Sequence, residues 1–222
     1  MTDPTIQRLN MLDSQIRPSD ITDRRILRAM GEVARELFVP VPKRPVAYVD
    51  GPIEVVAGSK GEGARALLPP RTLAKMIQLC GLGDKAVVLD VGCATGYSTA
   101  VLARIARRVV AVEANADLAA GASKVLTELK CENASVHAGP LVDGRQGEGP
   151  YDAILMNGAI EIEPRTLLDQ LKDGGRLVAV SAGRAGKAVV WTRAGRDYDR
   201  REDFDATAPL LPGFAAARAF TF

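Results

Sequence analysis

From Arg71 onward the chain alternates short apolar runs with segments of helical spacing, and this rhythm constrains the fold more than any other feature. The runs at 86–91, 109–113, 134–137, 153–156 and 176–181 read as strands. Helices fall at 97–105, 117–129 and 164–171, with Pro164 in the first turn of the last and Gly174 beyond its end. Apolar strands alternating with helices require a parallel sheet covered on both faces. The expected fold class is therefore α/β, a doubly wound and mostly parallel sheet with helices on both faces. Late in the chain, VAVSAGRAGKAVVWTR (178–193) reads as a hairpin, and FAAARAFTF (214–222) reads as a last antiparallel strand.

The first 70 residues follow a different pattern. Ile6, Leu9, Leu12 and Ile16 recur at helical spacing until Pro18 ends the run. Thr22 then stands where it can cap a second helix carrying Ile26, Met30, Val33 and Leu37 on one face and closed by Pro40. Residues 40–70 are rich in Pro and Gly and lack a sustained period, which predicts a loop-dominated connection with a short strand around 52–56. Leu73, Met76, Ile77 and Cys80 mark a helix closed by Gly81 and Gly83. The division expected is an N-terminal helical and loop subdomain over 1–70 and a sheet domain over 71–222.

Composition narrows the function. The chain has 222 residues, 29 basic against 27 acidic, for a net charge of +2. No strong field draws such a protein to nucleic acid or to a membrane surface. Stretches such as RRILR (24–28) and RIARR (104–108) read as solvated helix faces. No run approaches the roughly 20 apolar residues of a membrane span, and MTDPTIQRLN has no signal core. Cys80, Cys93 and Cys131 are widely spaced, which argues against a disulfide framework and a zinc site, so no metal is expected. His137 stands alone. These features predict a cytoplasmic enzyme or binding protein of unspecified oligomeric state.

VVLDVGCATGY (87–97) is the segment that carries chemistry. In an open parallel sheet, ligands bind at the carboxyl ends of the strands where strand order reverses. Dinucleotide folds place G-x-G-x-x-G there. Here the register is Gly92, Ala94 and Gly96, with Tyr97 where the third glycine belongs, so that reading fails. The P-loop reading fails as well, for want of its Gly-Lys-Ser/Thr. The turn that remains is tight enough for an adenosine-bearing ligand without pyrophosphate. Asp90 can meet a cationic amine, and Glu113, ending the second strand, can accept from both ribose hydroxyls. The apolar strand in GPYDAILMNGA (149–159) brings Asn157 to the same rim.

D-x-G-x-x-x-G with a strand-terminal Glu resembles the S-adenosyl-L-methionine site of Rossmann-like methyltransferases. MLDSQIRPSDITDRRILRAMGEVARELFVP (11–40) resembles, more specifically, the amino-terminal block of the protein-L-isoaspartate O-methyltransferases. AYVDGPIEV, VLDVGCATGYSTAVLA, VVAVE, GPYDAIL and LLDQLKDGGRLV follow in the family's order, so the likeness spans roughly 8–182. It implies a methyltransferase using S-adenosyl-L-methionine to esterify isoaspartyl carboxylates in damaged proteins, the start of protein repair. The cofactor-binding residues it implies are Asp90, Gly92, Cys93, Ala94, Gly96, Tyr97, Glu113, Ala114, Leu141 and Asn157. A carboxylate is already an anion at pH 7, so attack on a sulfonium methyl needs alignment and exclusion of water, with no general base.

The resemblance breaks in two places. The family reads Q-T-I-S-Q-P ahead of the helix before the first strand, its Thr and Ser implicated around the substrate carboxylate. This chain reads R-A-L-L-P-P (65–70), with Ala66 for Thr and Leu68 for Ser. Losing those donors costs on the order of several kcal/mol of carboxylate recognition. Arg65 can compensate by pairing with a carboxylate, or it is a solvated loop arginine. Arg65, Leu68 and Asn157 are thus the candidates lining a substrate site. The family's G-D-G after the third strand is here AGPLVDG, which leaves adenine to backbone groups and Leu141. Two further readings follow: a methyltransferase acting on a different substrate, another acid (a small-molecule acid included) or another small molecule, or a cofactor-binding protein without isoaspartyl activity. Whether GSKGEGA (58–64) closes over a substrate is open.

Overall fold

The computed structural model describes residues 3–58, 63–183 and 185–217. Its centre is a seven-stranded sheet built from β3 (Val87–Val91), β4 (Arg108–Glu113), β5 (Ala134–Ala138), β6 (Tyr151–Ile160), β7 (Leu171–Ser181), β8 (Lys187–Ala194) and β9 (Asp197–Asp205). Their spatial order is β5-β4-β3-β6-β7-β8-β9. β3 to β7 run parallel, and β8 and β9 are added antiparallel. The order reverses between β3 and β6, which puts the crevice for a ligand at the carboxyl end of β3. β3 itself is buried at four of its five positions, as a central parallel strand covered on both faces must be.

The helices α3 (Pro70–Cys80), α4 (Tyr97–Ala103) and α5 (Ala116–Glu128) follow the expected pattern, whereas the helix expected over 164–171 is a single turn, α6 (Arg165–Leu168), and β7 already begins at Leu171 and runs through Gly174. Gly81 closes α3 in the left-handed conformation, at φ 62°. Two apolar clusters fill the two sides of the sheet. The larger joins α3 and α4 to side chains from the first 70 residues, among them Ile16, Ile26, Met30 and Phe38.

Four further expectations need correction. The first helix, α1 (Pro4–Met11), continues as a π turn over Leu12–Ile16, and only the later apolar residues are buried. Ile6 and Leu9 are 50% and 53% exposed. The second helix, α2 (Arg24–Glu32), is capped by Asp23, whose carboxylate accepts from the Arg25 amide at 2.9 Å; Thr22 donates to Gln78 instead. α2 stops at Val33, short of Pro40, and Leu37 lies in a separate 3₁₀ turn with its side chain out. Among the described residues the last antiparallel strand is β9, DYDRREDFD, whose charged positions hid it from a hydrophobic reading. Residues 214–217 are irregular, and 218–222 lie outside the described residues. A strand was expected near 52–56 and is present as β1 (Ile53–Val56); its partner β2 (Arg65–Leu67), in an antiparallel pair, was not foreseen.

Candidate active site

The rim begins where β3 ends. Gly92 and Gly96 take φ of 71° and 93°, and Ala94 between them takes 50°, so this turn asks two glycines and one strained alanine to occupy the left-handed region. The Gly92 amide donates to the Val112 carbonyl at 2.7 Å, pinning the turn to β4. A side chain at Gly96 would meet the Cβ of Ala122 on α5 at 3.0 Å, so that glycine serves the packing of the turn on a helix. Thr95 donates its hydroxyl to the Phe38 carbonyl at 2.6 Å, tying the turn to the amino-terminal region.

Two buried carboxylates sit side by side on this rim. Asp90 accepts from the hydroxyls of Ser98 and Thr99 at 2.8 and 2.6 Å and from the Asn157 amide at 2.5 Å. Asn157 also donates to the Val91 carbonyl at 3.3 Å. Burial holds the Asp90 carboxyl above its usual range, and the three donors only partly offset that. Glu113, at the end of β4, accepts from Arg65 Nε at 3.1 Å and Nη2 at 2.8 Å, from the Ala94 amide at 2.7 Å and from the Asn115 amide at 3.2 Å. Arg65 Nη2 donates also to the Gly92 carbonyl at 2.6 Å. The pair is closed to solvent, with the side chains 4% and 0% exposed.

Most of the candidates from the sequence are therefore brought together. Gly92, Cys93, Ala94, Tyr97 and Asn157 share a cavity with Ala66 and Leu68, and Asp90 is held beside it by Asn157. Glu113 and Ala114 line a second opening beside Arg65. Leu141 is buried, with Cδ1 3.5 Å from where a Cβ on Gly92 would stand. Arg65 is buried rather than solvated, and its Nε and Nη2 are engaged by Glu113 and Gly92 instead of a substrate carboxylate. Leu68 is buried, and its carbonyl accepts from the buried Arg35 Nη2 at 2.8 Å. The Arg35 guanidinium lies 4.7 Å over the Tyr97 ring. Burial lowers the Arg35 pKa and raises those of Tyr97 and the Cys93 thiol, so none of the three is a poised acid, base or nucleophile.

Three contributions escaped the sequence reading. Ser98 and Thr99 directly follow the glycine turn, and their hydroxyls, in the first turn of α4 after an acidic strand end, were a readable signal. Arg35 gave none. Leu211 gave none either: it arrives from far along the chain and packs on the rim, its Cδ2 2.9 Å from a Cβ position on Gly92 and 2.6 Å from one on Gly158.

In the arrangement described, the crevice is closed to an adenosyl ligand. The cavity between Ala66, Leu68, Gly92 and Asn157 holds about 10 Å³, room for one water, and the opening beside Glu113 about 130 Å³. Small-molecule sites run to about 300–1,000 Å³. A carboxylate offers about four acceptor positions, and the four donors on Glu113 leave none for a ribose hydroxyl.

A glycine turn after the first strand of a 3-2-1-4-type parallel sheet, with an acid closing the second strand, defines a Rossmann-like fold of the methyltransferase type. The family model for protein-L-isoaspartate(D-aspartate) O-methyltransferase (PCMT) matches residues 7–199. The chain belongs to that family. It is 37% identical over 193 residues to protein-L-isoaspartate O-methyltransferase 2 of Shewanella sediminis, covering 86% of this chain and 77% of that one. It is 33% identical over 222 residues to the Koribacter versatilis protein-L-isoaspartate O-methyltransferase, with 98% and 97% covered. Among solved structures, a protein-L-isoaspartate O-methyltransferase superposes with a TM-score of 0.80 at 24% identity, over 93% of this chain and 66% of that one. A Plasmodium falciparum protein described as a beta-aspartate methyltransferase, in complex with S-adenosyl-L-homocysteine, gives 0.77 at 18% identity over 97% and 100%. These two likenesses establish the fold.

Proposed function

We propose that this chain is an S-adenosyl-L-methionine-dependent methyltransferase of its family that esterifies the carboxylate of isoaspartyl residues in proteins or peptides. The observation that supports it most is the convergence of Asp90, the Gly92–Gly96 turn, Glu113 and Asn157 on one rim at the strand-order switch, inside a chain that matches the family over most of its length. The acceptor is an anion at neutral pH, so the chain need not remove a proton from it. The rim supplies none of the groups a base would require, since Asp90, Glu113 and Tyr97 are all buried and engaged or inert. Its part is to position the acceptor and keep water out. Methyl-ester formation on an isoaspartyl peptide, absent with the aspartyl isomer, is the expected result; S-adenosyl-L-homocysteine binding without turnover would overturn it.

One departure from the family's pattern bears on how the acceptor carboxylate is held. Ala66 and Leu68 line the cavity beside Tyr97 and Asn157 and are both buried, so this wall carries no side-chain hydroxyl for a carboxylate. Isoaspartyl turnover that rises after Ala66→Thr with Leu68→Ser would show that the missing hydroxyls limit the reaction.

A further inference from the structure

Arg65 donates two bonds to Glu113 from adjacent nitrogens, Nε to one oxygen and Nη2 to the other. A ribose diol presents the same demand: two neighbouring donors for one carboxylate at the end of the second strand. We propose that Arg65 is an internal surrogate for that diol. Together with the strap that carries Leu211, it holds the cofactor cleft shut, so cofactor binds only an opened minority state. This rests on the methyltransferase reading above.

The strap is built into the sheet. The Ala159 amide of β6 donates to the Pro209 carbonyl at 2.8 Å, the Leu211 amide returns to the Ala159 carbonyl at 2.8 Å, and the Glu161 amide donates to the Phe214 carbonyl at 2.9 Å. Leu211 and Phe214 are buried in the apolar cluster that includes Met156 and Ile160 of β6. Leu211 thus covers both Gly92 and Gly158, the two positions on the rim whose missing side chains leave space. Arg65 fills the rest, its Nη2 2.8 Å from a Cβ position on Gly92.

The arm that carries Arg65 lies outside the main sheet. β2 has three residues and pairs only with β1, and an isolated two-stranded sheet is marginal by itself. Opening therefore means β2 withdrawing its guanidinium from Glu113 and Gly92 while the Ala94 and Asn115 amides stay on the carboxylate. Two acceptor positions on Glu113 then become free, which is the number a diol uses. Apparent affinity is the intrinsic affinity scaled by the open fraction, so anything that removes the surrogate tightens binding.

The test is titration calorimetry of S-adenosyl-L-homocysteine on the full chain, with Arg65→Ala and Leu211→Ala as separate variants, each checked for a cooperative thermal transition. At least tenfold tighter binding than wild type is expected in each. Should Arg65→Ala not fold, Arg65→Gln decides, since a single side-chain amide nitrogen cannot place two adjacent donors on Glu113. In wild type, saturating ligand should speed hydrogen exchange at the Ala159 and Leu211 amides. Equal affinity in wild type and both variants, or weaker binding in Arg65→Ala, overturns the surrogate and leaves the methyltransferase reading standing. No binding by any of the three folded proteins overturns the methyltransferase reading itself, and the surrogate with it.

Discussion

Asp90 and Glu113 end adjacent parallel strands, both out of solvent, yet they are kept in different ways. Asp90 is surrounded by neutral donors from α4 and β6, elements at the centre of the fold. Glu113 accepts one backbone amide from its own loop, Asn115, and one from the glycine turn, Ala94, and its counter-charge comes from β2, outside the main sheet. The first arrangement belongs to the scaffold and cannot change without unpacking a helix. The second can exchange one partner for another. Of two acids on one rim, only the one whose partner is borrowed from a peripheral strand can serve as a ligand switch.

The largest expected effect breaks the second arrangement. Glu113→Ala strands the Arg65 guanidinium in a buried site and removes the acceptor of two amides. Losing one member of a buried pair costs about 3–5 kcal/mol, read as a lower midpoint in urea unfolding. Replacing both partners, Arg65→Met with Glu113→Leu, should restore most of that loss, because well-packed apolar residues often substitute for a buried ion pair at little cost. A double variant as unstable as Glu113→Ala would show that the amides of Ala94 and Asn115 carry the energy instead.

Gly158→Ala acts on the strap alone. Its new methyl would stand 2.6 Å from Leu211 Cδ2 and 2.8 Å from the Pro209 carbonyl oxygen. Overpacking of that kind costs about 1–3 kcal/mol, and here the local response is displacement of the strap. Unchanged stability and unchanged exchange at the Leu211 amide would mean that Leu211 does not rest on this glycine.

How much of this was legible depended on sequence distance. The Gly92 turn, Asp90 and Glu113 were readable because their spacing is local and tied to strand ends. Asn157 was readable because an apolar run pointed it at the same rim. Arg65 was seen but misassigned: a loop arginine amid glycines looks solvated, and only the β1–β2 pairing turns it inward onto an acid 48 residues away. Leu211 in PLLPG had no periodicity at all to mark it. β9 was missed because alternating charges on an edge strand carry little hydrophobic signal, and the first helix was over-read because Ile6 and Leu9 keep a core-like spacing while facing out.

On the Asp90 side, Asn157→Ala removes one of three donors and leaves the two hydroxyls. Leaving a buried acceptor short of a partner costs about 1–3 kcal/mol. A loss below that range, with cofactor affinity untouched, would place Asn157 outside the group that holds Asp90.

The subtlest difference between the two acids is a slope with pH. Burial raises the Asp90 pKa above its unfolded value, so in the window between them the native chain keeps a proton that the unfolded chain has released. Stability from this group is fully present below the unfolded value, about 3.9 for an aspartate, and is lost as pH rises through the folded one. Other carboxylates tilt the curve as well, so the comparison is between wild type and Asp90→Asn, by urea unfolding at several pH values from 4 upward. The variant loses hydrogen bonding at every pH, because an amide cannot accept from all three donors. Its deficit relative to wild type should nonetheless shrink as pH rises, since only the wild type comes to carry a buried charge. A deficit that grows with pH would mean that the ionised Asp90 is the better-satisfied form, and that the two hydroxyls and the Asn157 amide outweigh its burial.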